Sequence, residues 1–248
     1  MKIEEKFEDI YVVGDIHGEI RKLVNDITYK YKLKNSIFII AGDCGFGFES
    51  KKYYDLLYWR KTIHKRLSEN NNLILCVRGN HDDPDYFIKT SDKYINYFPN
   101  LKFIEDYEVI EFKNIKILCI GGATSIDQID RKEYNDKQVK CGSLKRCWWE
   151  NEKPIKIDLN ELPSKIDVII SHEAPIQFCP LIYRDKNMSL EIYNSILDDR
   201  NYLGNIFLTL YPKYWFFGHY HRSYSDSFGQ TLIRGLDIEE LIKIKNYD

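Results

Sequence analysis

Five short segments gather most of the side chains in this chain that can bind a metal or move a proton. They are Gly14-Asp15-Ile16-His17-Gly18, Gly42-Asp43, Gly79-Asn80-His81-Asp82, Ser171-His172 and Gly218-His219-Tyr220-His221. The chain has six histidines, and only His64, inside a helix pattern, lies outside these segments. A role in packing alone would scatter them. Asp-x-His and His-x-His at a sharp turn can aim two side chains at one point, and flanking glycines let the backbone turn tightly. Imidazole and carboxylate donors without thiolate suit manganese, iron, zinc or a similar divalent ion. A carboxylate among them can bridge two ions ~3.5–4 Å apart, a separation that clamps the attacking and leaving oxygens of a displacement.

Each segment follows a short apolar run. Runs at 10–13, 37–41, 73–78, 115–120, 168–171, 214–217 and 231–233 are rich in Ile, Val and aromatic residues and read as strands. Ile20, Leu23, Val24, Ile27 and Tyr31 recur at helical spacing, which predicts a helix over 18–32. A second is predicted over 49–70, carrying Tyr53, Leu56, Leu57, Ile63 and Leu67, and a third over 189–210. Asp83-Pro84 has the form of an N-cap followed by proline at the first helical position. Alternating strands and helices predict an α/β fold. Its polar residues gather at the C-terminal strand ends, where open α/β sheets build their sites.

In this order the five segments resemble the signature of the calcineurin-like metallophosphoesterases: Asp-x-His, Gly-Asp, Gly-Asn-His-Asp/Glu, a single His, then Gly-His-x-His. The match runs from Gly14 to His221. The resemblance implies two stacked mixed β-sheets flanked by helices, a four-layer α-β-β-α sandwich in one domain spanning 1–248. It implies two divalent ions, manganese first, with iron, zinc, nickel and magnesium as alternatives. Asp15, His17 and His221 are expected to hold one ion, and Asn80, His172 and His219 the other. Asp43 is expected to bridge both. His81 is expected to face the leaving group as a general acid, and Asn80 to help neutralise the phosphoryl oxygens. The implied reaction is direct in-line attack on a phosphate ester by water activated between the ions. No Ser or Cys nucleophile with an adjacent base is evident.

One departure narrows the substrate. Ser/Thr protein phosphatases of this superfamily continue the second motif as Gly-Asp-x-x-Asp-Arg-Gly. Here Phe46 stands in place of the carboxylate that orients the catalytic His, and Gly47 in place of a phosphate-binding Arg. His81 must then rely on Asp82, Asp127 or solvent. A later stretch, 121–127 followed by Arg131, Trp148-Trp149 and Glu152, resembles an element of a bacterial and phage subgroup and marks a cap or insert around 124–160. Arg131 could pair with the substrate phosphate, and Trp148 and Trp149 could stack on a base. Equally, the tryptophans could anchor the cap, with Arg131 paired to an acidic neighbour. Phosphodiester or nucleotide substrates are favoured over phosphoproteins.

Composition sets the remaining bounds. The 248 residues carry a net charge of −2, so no basic character points to nucleic acid. Aromatic residues make up 15% of the chain, read as core and compositional drift. No stretch approaches the ~18 apolar residues of a membrane span, and the charged N-terminus lacks the apolar segment of a signal peptide; the expectation is a cytoplasmic protein. Cys44, Cys76, Cys119, Cys141, Cys147 and Cys179 form no Cys-x-x-Cys pair. Cys141 and Cys147 lack the second ligand pair of a zinc site. Two other classes compete with the enzyme: an inactive metal-binding scaffold, which has no need of His81, and a nucleic-acid module, which needs a basic cleft.

Overall fold

In strand β1 (Asp9–Val13), Ile10 and Val12 point to one face and Tyr11 and Val13 to the other, and both faces are covered. The same alternation runs through β2 (Ser36–Ile40) and β3 (Leu73–Cys76). Period-two side chains with two apolar faces require a layer on each side. On one side lie α1 (Ile20–Asn25), α2 (Lys51–Asp55) and α3 (Ile63–Glu69), which bury Leu23, Val24, Tyr54, Ile63 and Leu67 against Val13, Phe38, Ile40 and Ile74. On the other side Ile10, Val12, Ile37, Ile39 and Leu75 share one core with a second sheet. That sheet contributes Ile117 and Cys119 from β6 (Ile115–Ile120), Val168 and Ile170 from β7 (Val168–Ser171) and Phe216 from β8 (Tyr214–Phe217). The outer face of this sheet, with Leu118, Ile169, Trp215 and Phe217, packs on Leu203, Ile206 and Phe207 of α5 (Leu190–Leu210). The result is the helix-sheet-sheet-helix sandwich expected.

This computed structural model describes residues 1–60, 62–143, 145–178 and 188–245; Cys179 lies outside them. The first sheet has the order β11-β1-β2-β3-β4, where β4 is Leu101–Phe103 and β11 (Leu241–Lys243) is an antiparallel edge. The second has the order β5-β6-β7-β8-β10-β9. Its edges, β5 (Val109–Phe112) and β9 (Tyr224–Phe228), are antiparallel, while β6, β7, β8 and β10 (Thr231–Gly235) are parallel. Parallel strands all end on one edge, and there the motif segments leave the sheets.

Three predicted helices differ in detail. The first begins at Ile20 and passes at Asp26–Lys30 into a wider π turn. The stretch 49–70 is not one helix: α2 continues as a π turn over Leu56–Arg60, and Thr62, at φ 67°, separates it from α3. A left-handed residue cannot extend a right-handed helix. The third begins one residue late, because Ser189 caps it by accepting from the Ile192 N–H. Asp83 caps only a short 3-10 turn, Pro84–Tyr86. Among the described residues no helix is long and apolar enough to cross a membrane, and Cys44, Cys76, Cys119, Cys141 and Cys147 are free thiols.

Candidate metal centre

The backbone at the strand ends is bent in an unusual way. His17, Asp43, His219 and His221 have φ of 44°, 50°, 68° and 48°. Non-glycine residues rarely occupy this left-handed region, at a cost of about 1–3 kcal/mol each. The bends turn side chains from separate strands toward one point. Gly79 serves the same convergence, since a Cβ there would stand 2.1 Å from the Asp43 carboxylate.

Asp15, His17, Asp43 and His221 place one ligand atom each within 4.8 Å of one another. His17 Nε2 and His221 Nε2 approach to 2.9 Å, and His221 Nε2 lies 3.1 Å from Asp15 Oδ2. Two imidazole nitrogens at that distance must share a proton or a cation. Asp43 links this group to a second. Its Oδ2 is 3.9 Å from His17 Nδ1, and its Oδ1 is 3.2 Å from His172 Nε2. His172 Nε2 is also 2.8 Å from Asn80 Oδ1, while its Nδ1–H donates to the Ala41 carbonyl at 2.8 Å. That carbonyl fixes the tautomer and leaves Nε2 for a metal or a proton. His219 stands beside His172 with ring centroids 5.0 Å apart. Its Nε2 faces Glu173 Oε2 at 3.8 Å, a fully buried oxygen with no hydrogen-bond partner. The structure thus gathers Asp15, His17, Asp43 and His221 around one point, and sets Asn80 and His219 against His172 beside Asp43.

The electrostatics fit a cation centre. Burial disfavours charge on His172, but the Asp43 carboxylate outweighs it and lifts the imidazole to about 10. Asp43, though buried, is held far below the carboxylate range by His172, His81 and His17. A cation placed among these groups would supply the positive charge that protons supply otherwise, so loading displaces protons.

His81 is placed differently from the expectation. Neither Asp82 nor Asp127 orients it. Asp82 is spent on backbone N–H groups of Cys44, Gly45, Phe46 and Gly79. Asp127 pairs with Arg131 Nε at 2.8 Å, and Arg131 Nη2 meets His81 Nε2. Arg131 therefore has both its acidic neighbour and a place at the site. Burial first, then the Arg131 cation, pushes His81 down to about 4 against the pull of Asp43.

The residues that depart from the protein-phosphatase pattern have structural work. Phe46 turns inward and packs on Tyr54, Tyr86 and Phe103, with ring centroids 4.7, 6.1 and 4.6 Å away. Gly47, at φ 121°, admits no side chain: a Cβ would lie 2.4 Å from Asp83 Cβ and 2.7 Å from Trp149 Cζ2. Trp149 stacks on Phe48 at 6.1 Å, and Phe48 meets the His81 ring edge-on at 6.1 Å. Phe48, Tyr86, Trp148 and Trp149 line a cavity of about 930 Å³ whose walls include neither His81 nor the expected ligands; Phe48 stands between it and His81. The Trp loop rests on α4 (Gln128–Lys140), where Asn135 donates to the Trp148 carbonyl and accepts from the Cys147 N–H. Phe48 and Glu173 are site neighbours that sequence reasoning missed, and Ser125 lies in the 121–127 stretch but was given no role. Glu173 directly follows the expected ligand His172; Phe48 carries no signal in spacing.

The model of the calcineurin-like phosphoesterase family matches residues 9–223. No curated protein matches the chain. One crystal structure aligns with 96% of this chain and 98% of its own at TM-score 0.51 and 12% identity. Phosphopantetheinyl hydrolase (PptH) from Mycobacterium tuberculosis aligns over 95% of this chain and 91% of its own, at TM-score 0.48 and 11% identity. A putative 5'-nucleotidase from Staphylococcus aureus, in complex with alpha-ketoglutarate, aligns over 92% of this chain but 48% of its own, at TM-score 0.37 and 13% identity.

Proposed function

The chain belongs to the calcineurin-like phosphoesterase family, a metal-dependent phosphoesterase, and from that premise we propose that it hydrolyses a phosphodiester or nucleotide at a centre of two manganese ions. The observation that carries the reading is Asp43, whose two oxygens face the His17 group and the His172 group. Asp15, His17 and His221 would hold one ion and Asn80, His172 and His219 the other, with Asp43 shared. Ions so placed lower the pKa of water and neutralise charge on a phosphoryl group. Imidazole and carboxylate donors without thiolate fit manganese.

The chain's own residues set the rest. Arg131 offers the substrate phosphate charge-assisted N–H donors in a planar fork. His81 lies beside it, where a leaving oxygen would depart. Phe48 and Trp149 provide a flat apolar wall for the leaving group, and the cavity has room for a nucleoside. Metal analysis of the purified protein should find two ions per chain. A panel of phosphomonoesters, phosphodiesters and phosphoserine peptides, assayed with the manganese-loaded enzyme, tests the substrate. Trp149→Ala should raise KM for nucleotide esters while leaving p-nitrophenyl esters nearly unchanged. Turnover of phosphopeptides with no action on any nucleotide overturns the substrate class, and failure to take up manganese overturns the centre.

A further inference from the structure

Asn80 can serve a metal only if its carbonyl oxygen, not its amide nitrogen, faces the centre. The side chain is buried, so water cannot set that choice. A short buried chain of hydrogen bonds does. Asn80 Nδ2 donates to Ser125 Oγ at 2.8 Å. Ser125 Oγ donates its single proton to Glu152 Oε2 at 2.6 Å, and Glu152 Oε1 accepts from the Ser125 N–H at 2.9 Å. Asn80, Ser125 and Glu152 are each at most 2% exposed.

The logic of donors and acceptors fixes the amide. A carboxylate can only accept, so the Ser125 proton is committed to Glu152. What Ser125 turns to Asn80 is then a lone pair, which only an N–H can meet. Asn80 Oδ1 is left pointing at His172 Nε2, 2.8 Å away, beside Asp43. Glu152 is itself anchored: Arg78, paired with Asp106 at 2.7 Å, donates to the carbonyls of Asn151, Glu152 and Lys153. We infer that Ser125 and Glu152, both on the 124–160 insert, are positioning residues that hold the Asn80 amide in its metal-binding orientation. Without the carboxylate, the Ser125 hydroxyl is free to donate to Asn80 Oδ1, and the amide can turn its NH2 toward the centre. The inference rests on the two-ion reading.

The test counts manganese rather than activity. The wild-type protein, Glu152→Ala, Ser125→Ala and Thr124→Ala are titrated with manganese by calorimetry and followed by low-temperature electron paramagnetic resonance. Thr124 is the control, since its hydroxyl bonds Asp199 at 2.6 Å and not Asn80. The wild type should bind two ions and show a spin-coupled pair. Glu152→Ala should bind the first ion normally and the second about 10- to 100-fold more weakly, as loss of an outer-shell partner does. At limiting manganese its spectrum should be that of an isolated ion, and Thr124→Ala should match the wild type. If Glu152→Ala does not fold, the smaller Ser125→Ala change is held to the same result. Second-ion affinity that is unchanged, or both affinities falling together in all three variants, overturns the positioning role. A wild type that binds no second ion overturns the two-ion reading, and this inference with it.

Discussion

Asp82 Oδ1 accepts a 2.7 Å hydrogen bond from the backbone N–H of Gly45. The same oxygen accepts from Phe46 at 2.9 Å, and Oδ2 accepts from Cys44 at 3.0 Å and Gly79 at 2.8 Å. One fully buried carboxylate thus ties the loop after Asp43 to the loop that carries Asn80 and His81. Asp82→Asn would set an NH2 group against two N–H donors. Burial, with Asp43 beside it, pushes the Asp82 carboxyl up to about 7, so the comparison belongs near ~pH 8, where the group is charged and its hydrogen bonds are worth ~1.5–3 kcal/mol each. We expect a loss of at least about 3 kcal/mol, or roughly 6–12 °C in melting temperature for a domain of this size. A melting temperature equal to the wild type's would show that the clamp does not hold the loops.

Asp43 and Asp15 should not be equivalent. Asp43 faces both histidine groups, whereas Asp15 contacts His221 and His17 alone among the expected ligands' side chains. Asp43→Asn should be the slower enzyme at saturating manganese, by on the order of tenfold or more, since one further charged contact is lost. Steady-state rates across a manganese series measure this, and equal residual rates count against the bridging role.

Asp199 offers a pH test away from the centre. It lies buried on α5, accepts the Thr124 hydroxyl, and is raised to about 6, chiefly by burial, against the pull of Thr124, Lys153 and Lys156. Between the unfolded value near ~3.9 and about 6, the folded state binds the proton and the unfolded state does not. Stability therefore falls as pH rises through that window and stays lower above it. Asn mimics the protonated acid and still accepts from Thr124. Asp199→Asn should match the wild type near ~pH 4 and exceed it by on the order of 2 kcal/mol near ~pH 8. A melting-temperature difference that does not change with pH would contradict the account.

Much of the candidate centre was legible because its expected ligands sit beside glycines at the ends of strands with strong apolar signals. Most strands that went unread lacked such signals: Tyr224–Phe228 is polar and mostly exposed, and Leu101–Phe103 and Leu241–Lys243 are three residues each. Val109–Phe112, with Val109, Ile110 and Phe112 apolar, carried a signal that was passed over. Helix Gln128–Lys140 buries only Asn135, so it has no apolar stripe for periodicity to reveal. The break at Thr62 was equally hidden, because Leu56, Ile63 and Leu67 keep helical spacing across it. What spacing could not supply was pairing between distant segments. Arg131 beside His81 and Glu152 beside Ser125 depend on how the chain between 124 and 160 folds back, not on any local pattern.

His81 and Arg131 carry the last prediction. A guanidinium only donates, so His81 Nε2 accepts from Arg131 in this arrangement. With burial and that cation holding it to about 4, the imidazole is neutral near ~pH 7. A phosphate entering the centre offers Arg131 a stronger acceptor and takes it from His81; the phosphate's negative charge then favours uptake of a proton from solvent at the vacated His81 Nε2, and that N–H can face the departing oxygen. Arg131 should then act on every ester alike: Arg131→Met should lower kcat/KM by about 10- to 100-fold, in line with one lost charged hydrogen-bonding partner. His81 should act according to the leaving group. A p-nitrophenolate departs without a proton, whereas an alkoxide or ribose oxygen needs one. His81→Ala should keep its bound manganese, slow p-nitrophenyl esters by at most about tenfold, and slow alkyl or ribose esters by ~10²–10⁴-fold. Parallel assays on the two ester types, with metal content measured on the same preparations, decide the matter. Equal slowing on both types would make His81 a positioning residue, and loss of metal would make it a ligand.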